Sequence, residues 1–188
     1  MMSPSEHLSD SYVLDLRYRR TLAFLQASVA PPARILDLGT RNRFSEIMEA
    51  GGFEVHNTEP GVDLDINPEV VQAIDADVVT AFEIFEHLVA PFNVLRAITA
   101  PRLIASVPLR LWFSTAYRNP NDPWDCHFHE FEDWQFDWLL DKAGWSVVRR
   151  EKWNSPGRQI GFRPFLRRVT PRYYIIDARR KAGGAEVS

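Results

Sequence analysis

Two short apolar runs, each closing on polar groups, organise the hydrophobic pattern of this chain. Ala33-Arg34-Ile35-Leu36-Asp37-Leu38-Gly39-Thr40 is an aliphatic stretch that ends on an acid and a glycine. Ala76 to Leu88 repeats the design, with Val78 to Phe82 passing abruptly into Glu83, Glu86 and His87. Apolar runs of this length predict strands buried on both faces, as in a parallel sheet. Polar groups at the C-terminal ends of such strands mark the edge where open α/β sheets bind ligands. The two edges, about forty residues apart in sequence, therefore point to one shared site.

Helical periodicity and turn signals fill in the rest. Val13, Leu14, Leu16, Leu22 and Leu25 give an apolar face to a helix over Ser11 to Ser28, ended by Pro31-Pro32. A helix from Phe44 to Ala50, stopped by Gly51-Gly52, and a strand from Phe53 to Thr58 complete a βαβ unit that closes on Glu59-Pro60. Val62, Leu64 and Ile66 alternate with Asp63 and Asp65, predicting a third short strand over Gly61 to Ile66 with almost no crossover before it. Pro91 opens a helix that ends before Pro101, and Leu103 to Val107 reads as another buried strand. Residues 109–133 have no clean period and carry Trp112, Phe113, Tyr117, Trp124, His127, Phe128 and His129, as expected of a substrate-side loop. Beyond it the pattern predicts a helix over Trp134 to Ala143 capped by Gly144, then strands Trp145 to Glu151 and Tyr173 to Ala178 separated by an irregular basic stretch. Trp134, Trp138 and Trp145 are expected in the core.

Composition narrows the class without changing this outline. The 188 residues suit one domain over 1–188, with an N-terminal helical region over 1–30, and 45% hydrophobic with 25% charged residues is ordinary for a globular protein. A lone cysteine, Cys126, permits no intramolecular disulfide, and the absence of a signal-like N-terminal run leads us to expect a cytoplasmic protein. No run approaches the ~20 apolar residues of a membrane span, so no membrane partner is expected. The net charge of −3 hides an asymmetry: Arg149 to Lys181 holds eleven Arg or Lys against Glu151 and Asp177. Scattered arginines of this kind suit a solvated sheet edge, while nucleic acid remains an alternative partner.

A strand ending Asp37-Leu38-Gly39 before a helix, then a strand ending in Glu59 about twenty residues later, is a geometry for holding a nucleoside. Its order resembles the class I S-adenosylmethionine-dependent methyltransferases. Ala81 to Leu88 looks like that family's motif after its fourth strand, and the helix before Ala143-Gly144-Trp145 resembles its late helix. The resemblance covers Ile35 to Trp153 and implies a Rossmann-like α/β sheet, mostly parallel with an antiparallel C-terminal hairpin and shortened after the second strand. It implies S-adenosylmethionine as cofactor and methyl transfer to an oxygen or nitrogen of a small molecule. Asp37, Gly39 and Thr40 would then lie under the amino-acid end, Glu59 on the ribose, Asp63 or Asp65 near the adenine, and Phe82 and Glu83 beside the sulfonium. One departure stands out: the family's glycines are replaced here by Thr40, Arg41, Asn42 and Arg43.

Glu83, Glu86 and His87 have i, i+3, i+4 spacing and would share a helical face if the chain turned helical at Phe82. Glu-x-x-Glu-His at this place resembles the ubiquinone-pathway O-methyltransferases and the small-RNA 2′-O-methyltransferases, with His129 as the counterpart of a later ligand. On that resemblance Glu83, Glu86, His87 and His129 would bind Mg²⁺ or Mn²⁺. Without metal, His87 or His129 is the candidate general base. Cys126 with two nearby histidines falls short of a zinc site. Two other functions compete with a small-molecule methyltransferase: a non-catalytic module whose cofactor pocket Arg41 and Arg43 fill, and a metal-dependent RNA 2′-O-methyltransferase.

Overall fold

The computed structural model describes residues 4–122, 125–154 and 162–182, with side chains left out for residues 4–11 and 162–165. Trp124 and Arg158 therefore lie outside the described residues. The elements are α1 (Pro4–Ser28), β1 (Arg34–Asp37), α2 (Arg43–Ala50), β2 (Glu54–Asn57), β3 (Val78–Phe82), α3 (Pro91–Ala97), β4 (Arg102–Pro108), α4 (Asp133–Lys142), β5 (Trp145–Asn154), α5 (Phe162–Val169) and β6 (Pro171–Arg180). Short 3-10 turns occupy Pro68–Gln72 and Phe85–His87. The six strands form one sheet in the order β2-β1-β3-β4-β6-β5. The pairs β2–β1, β1–β3 and β3–β4 are parallel, whereas β6 runs antiparallel to both β4 and β5. This is the mostly parallel, Rossmann-like sheet with an antiparallel C-terminal hairpin that the family resemblance implies.

Period-two alternation places successive side chains on opposite faces. Ile35, Val78, Ile104 and Ile175 join Phe24, Leu25, Phe44 and Met48 in the core beneath α1 and α2. Their neighbours Leu36, Val79, Leu103 and Ile176 face Leu95, Phe136, Leu140 and Trp145 on the other side. Two helical layers thus bury both faces, which is why the strands read as unbroken apolar runs. The chain order reverses between β1 and β3, so their C-terminal ends frame the crevice where such sheets bind ligands.

Three expectations are corrected here. Gly61 to Ile66 forms no strand: the Asp63 carboxylate takes the N–H of Asp65 at 2.9 Å, and the Asp63 carbonyl takes those of Ile66 and Asn67. These donors are consumed within a turn, leaving β2 as the sheet edge. Trp134 and Trp138 are exposed, at 57% and 60%, because α4 turns Phe136 and Leu140 inward instead. Of the three tryptophans only Trp145 is core, its indole N–H donating to the Leu95 carbonyl at 3.0 Å. The basic stretch before β6 is not irregular throughout, since it contains α5.

The antiparallel end of the sheet carries a buried ion pair. Arg102 on β4 reaches Asp177 on β6 through two hydrogen bonds, Nε to Oδ1 at 2.8 Å and Nη2 to Oδ2 at 2.5 Å. Asp177 is 3% exposed, so removing it strands a guanidinium in a poorly solvated place. Asp177→Ala is expected to lower unfolding free energy by roughly 3–5 kcal/mol in urea denaturation. A loss below ~1 kcal/mol, the worth of a surface pair, would show that Arg102 rehydrates freely.

Candidate active site

The crevice is built first by one buried carboxylate. Asp37 ends β1 and accepts the Thr80 hydroxyl of β3 at 2.7 Å and the Asn57 amide of β2 at 3.0 Å. The same Asn57 amide nitrogen donates to the Gly39 carbonyl at 2.9 Å, which fixes the turn leaving β1. Burial pushes the Asp37 carboxyl up to about 7, against the lowering effect of these two hydrogen bonds. Asn57 Oδ1 is buried without a partner among the described residues.

Asn42 caps α2: its side chain accepts the Phe44 N–H at 2.7 Å, and Ser45 Oγ accepts the Asn42 N–H at 3.2 Å. The cap draws Arg41 and Arg43 outward. Arg41 makes a two-pronged pair with Glu49 at 2.7 and 2.8 Å, and Arg43 reaches Asp15 of α1 at 3.2 Å. Neither arginine lines the cavity of about 90 Å³ enclosed by α1, the β1 turn and the ends of β3 and β4. Gly39 does, and a Cβ there would stand 3.5 Å from Asp37 Oδ2 and 3.7 Å from Ile84 Cδ1. Arg17, Tyr18 and Thr21 roof this cavity from α1. The sequence marked none of the three, because α1 shows only as a helix until its tertiary docking is known.

Glu83 leaves β3 with φ +57, in the left-handed region that a residue with a side chain seldom adopts. It is held there by its N–H on the Ser106 carbonyl at 3.0 Å and by its Oε1, which accepts Ser106 Oγ at 2.8 Å. Arg17 stands 3.7 Å from the other carboxylate oxygen. This turn separates the Glu-x-x-Glu-His residues. Glu83 faces the cavity, while Glu86 and His87 continue into a 3-10 turn facing residues 125–130.

The expected quartet of Glu83, Glu86, His87 and His129 therefore does not converge. Instead Glu86, His87 and His127 place one ligand atom each within 4.8 Å of one another. His129 stacks on Phe131 and lies 3.3 Å from the Val89 carbonyl. His87 Nδ1 is 3.1 Å from the Cys126 carbonyl and His127 Nδ1 is 2.9 Å from Glu130, so hydrogen bonding at both Nδ1 atoms leaves Nε2 available. The Glu86 carboxylate is fully buried, and neither oxygen has a hydrogen-bond partner among the described residues, although His87 Nε2 stands 3.8 Å from Oε1. Burial, with the nearby charge of Glu83, pushes its pKa well above the ordinary range. Burial, with the charge of His127, pushes His87 down. Spacing on a single strand end gave no signal for His127 or Glu130.

The remaining expected residues are dispersed. Phe82 lines the cavity, with Phe44 edge-on at 5.4 Å. Thr40 and Glu59 are exposed, and neither lines the cavity. Asp63 is spent on the turn already described, and Asp65 accepts the N–H groups of Val89 and Ala90 at 2.8 and 2.7 Å, pinning the start of α3.

Asp37 makes the site's pH behaviour testable. A carboxyl whose pKa rises from 3.8 to about 7 on folding adds stability below its unfolded value and loses it as pH climbs through the folded one. The Asp37→Asn variant is therefore expected to gain on the parent between pH 4 and 8, by roughly 4 kcal/mol at most. Parallel denaturation curves over that range check this, and a constant difference would show that Asp37 ionises normally in the fold.

Comparison with known proteins establishes the fold. No family model and no curated sequence matches the chain. Among solved structures, 1,6-didemethyltoxoflavin-N1-methyltransferase of Burkholderia thailandensis, bound to 1,6-didemethyltoxoflavin and S-adenosylhomocysteine, superposes with a TM-score of 0.62. That match covers 97% of this chain and 92% of the other at 21% identity. A S-adenosylmethionine-dependent methyltransferase of Archaeoglobus fulgidus gives 0.56 at 16% identity over 88% and 94% of the two chains. The cyclase SpnF gives 0.50 at 14% identity, over 87% and 82%. The architecture is thus the one the S-adenosylmethionine-dependent methyltransferases share, and it hosts more than one chemistry. Among the described residues no helix is long and apolar enough to cross a membrane.

Proposed function

We propose that this chain, which has the fold of the class I methyltransferases, binds S-adenosylmethionine and transfers its methyl group to an oxygen or nitrogen of a small molecule. The observation that carries the reading is the β1–α2 turn. Arg41 and Arg43, which occupy the positions of the family's glycines, are held outside by Glu49 and Asp15, while Gly39 stays open to the cavity. The residues present fit the cofactor: Asn57 Oδ1 is a buried acceptor in want of a donor, and Asp37 is a buried acid beside it. An unpaired buried acceptor beside an acid favours a ligand that donates hydrogen bonds, as an ammonium and hydroxyls do.

In this reading Asp37, Gly39 and Thr40 hold the amino-acid end, and Glu59, exposed at the end of the β2 segment, takes the ribose. On the adenine side the candidate is Asp63, through the carboxylate oxygen not taken by the Asp65 N–H, since both oxygens of Asp65 are committed to Val89 and Ala90. Phe82 and Glu83 wall the reacting centre. S-adenosylmethionine, when bound, supplies an electrophilic methyl on a sulfonium. The chain's own work is placement: the strained turn at Glu83, braced by Ser106 and Arg17, fixes that wall, and alignment of this kind provides most of the acceleration such a displacement needs.

A divalent cation belongs to the finer part of the proposal. Glu86, His87 and His127 would hold it, and two imidazoles with one carboxylate suit Mn²⁺, Fe²⁺ or Zn²⁺ better than the all-oxygen preference of Mg²⁺. The unpartnered Glu86 carboxylate is what supports this fit, and such an ion would lower the pKa of an acceptor hydroxyl. Without metal, His127 with Glu130 behind it is better oriented as a base than His129, whose Nε2 faces the Val89 carbonyl. An RNA acceptor is less favoured, because the basic segment is largely paired within the fold. Arg150, Lys152 and Lys181 meet Asp137, Asp133 and Asp141, and Arg149 meets Glu151.

Titration calorimetry with S-adenosylhomocysteine tests the reading, and micromolar binding is expected. Arg41→Gly with Arg43→Gly should leave Kd within about threefold, under 1 kcal/mol. A gain of tenfold or more would mean that the arginines obstruct the pocket, and no binding by the parent or the variant would overturn the assignment. Mn²⁺ added to the parent should bind directly, detected by electron paramagnetic resonance, and Glu86→Gln should abolish that signal while leaving S-adenosylhomocysteine affinity in place.

A further inference from the structure

A second cavity, of about 230 Å³, opens beside the first and is lined by Ser114, Thr115, Tyr117, Glu130, Arg167 and Arg172, among others. It stands at the same sheet edge, because β6 starts where β4 ends: Tyr173 pairs with Pro108, two residues beyond the Ser106 that braces Glu83. Tyr173 lines this second cavity and Arg17 the first, and the Arg17 guanidinium lies 5.9 Å from the centre of the Tyr173 ring. One cation–π contact therefore links a lining residue of each space.

The charge in this cavity is not balanced. Among the described residues its one carboxylate, Glu130, is already engaged: Oε1 accepts from His127 at 2.9 Å and from the Tyr117 N–H at 3.1 Å, and Oε2 is 3.8 Å from Arg172. Arg172 is anchored by Nη1 on the Leu109 carbonyl at 2.7 Å, leaving its remaining donors for another acceptor. Arg167 forms no hydrogen bond or ion pair with the described residues, unlike Arg149, Arg150, Lys152 and Lys181 of the same basic segment. Guanidinium pairs fork onto planar or tetrahedral oxyanions.

We infer that this cavity receives the methyl acceptor and that the acceptor carries a carboxylate or phosphate group, held by Arg167 and Arg172. The inference rests on the methyltransferase reading for what the cavity serves, but not for the anion site itself. The volume lies below the ~300 Å³ at which drug-sized pockets begin, so the acceptor is small. Ser114 and Thr115 give the rest of the cavity hydroxyls for a polar body, whereas the Tyr117 hydroxyl is taken by Asp125 at 2.8 Å.

The test uses the full chain saturated with S-adenosylhomocysteine, titrated with benzoate, phenyl phosphate and neutral benzamide by ligand-observed NMR. At least one anion is expected to bind about tenfold or more tightly than benzamide, the worth of a charge-assisted hydrogen bond. The tighter anion identifies the headgroup. Arg167→Gln, at an exposed position, should abolish that preference and leave S-adenosylhomocysteine affinity unchanged, while Arg172→Lys should weaken anion binding but keep the Leu109 contact. Equal binding of the anions and benzamide, no binding of either anion at 10 mM (a Kd ceiling far above any functional site), or an unaltered preference in Arg167→Gln would overturn the inference. If S-adenosylhomocysteine fails to bind, the methyltransferase reading fails instead, and the same titration of the ligand-free chain still decides the anion site.

Discussion

The site depends on the buried carboxylate of Asp37. It gathers a hydroxyl from β3 and an amide from β2 at the point where the strand order reverses, so one polar group ties three strand ends together. An apolar residue would pack there, but it would leave Thr80 and Asn57 without their partner, a cost comparable with the hydrogen bonds lost. The elevated pKa of Asp37 shows that the fold maintains this group against desolvation.

The second constraint is the left-handed turn at Glu83. A continuous helix after β3 would present Glu83, Glu86 and His87 together, in one cluster. The turn breaks that face, giving Glu83 to the cavity under α1 and Glu86 and His87 to the loop that carries His127. One strand end thereby serves two neighbouring sites, linked by the charge of Glu83 acting on Glu86. Glu130 extends the connection, with one oxygen on His127 and the other towards Arg172 of the second cavity. The result is a line of polar groups from the crevice to the far loop along a single sheet edge.

Charge in the C-terminal third follows a similar economy. Most of its basic side chains that face α4 find an aspartate there: Asp133, Asp137 and Asp141 recur every four residues and meet Lys152, Arg150 and Lys181. Arg180 instead spends its guanidinium on the carbonyls of Leu95, Arg96, Ile98 and Ala143. Among the described residues much of the positive segment is therefore neutralised within the fold, Arg167 at the second cavity being the exception. SpnF, a cyclase on the same architecture, is a reminder that the reaction is decided by such local arrangements and not by the sheet.

The order of strands and helices, the two-faced burial of the sheet and the polar edge were legible in the sequence, because hydrophobic period and strand-end chemistry are local properties of the chain. Asp37, Gly39, Phe82 and Glu83 could be placed at one edge for that reason. Local pattern failed where two solutions share a period. Trp134 with Trp138 and Phe136 with Leu140 are both i, i+4 pairs, and only packing against the sheet chose the second. The alternation of Gly61 to Ile66 was overridden by a carboxylate turn that has no hydrophobic signature. Tertiary structure alone decided the outward course of Arg41 and Arg43, the roof from α1, and the substitution of His127 for His129 beside Glu86. Each depends on a contact between residues distant in sequence or on a single backbone angle, and neither leaves a trace in a linear pattern of polar and apolar positions.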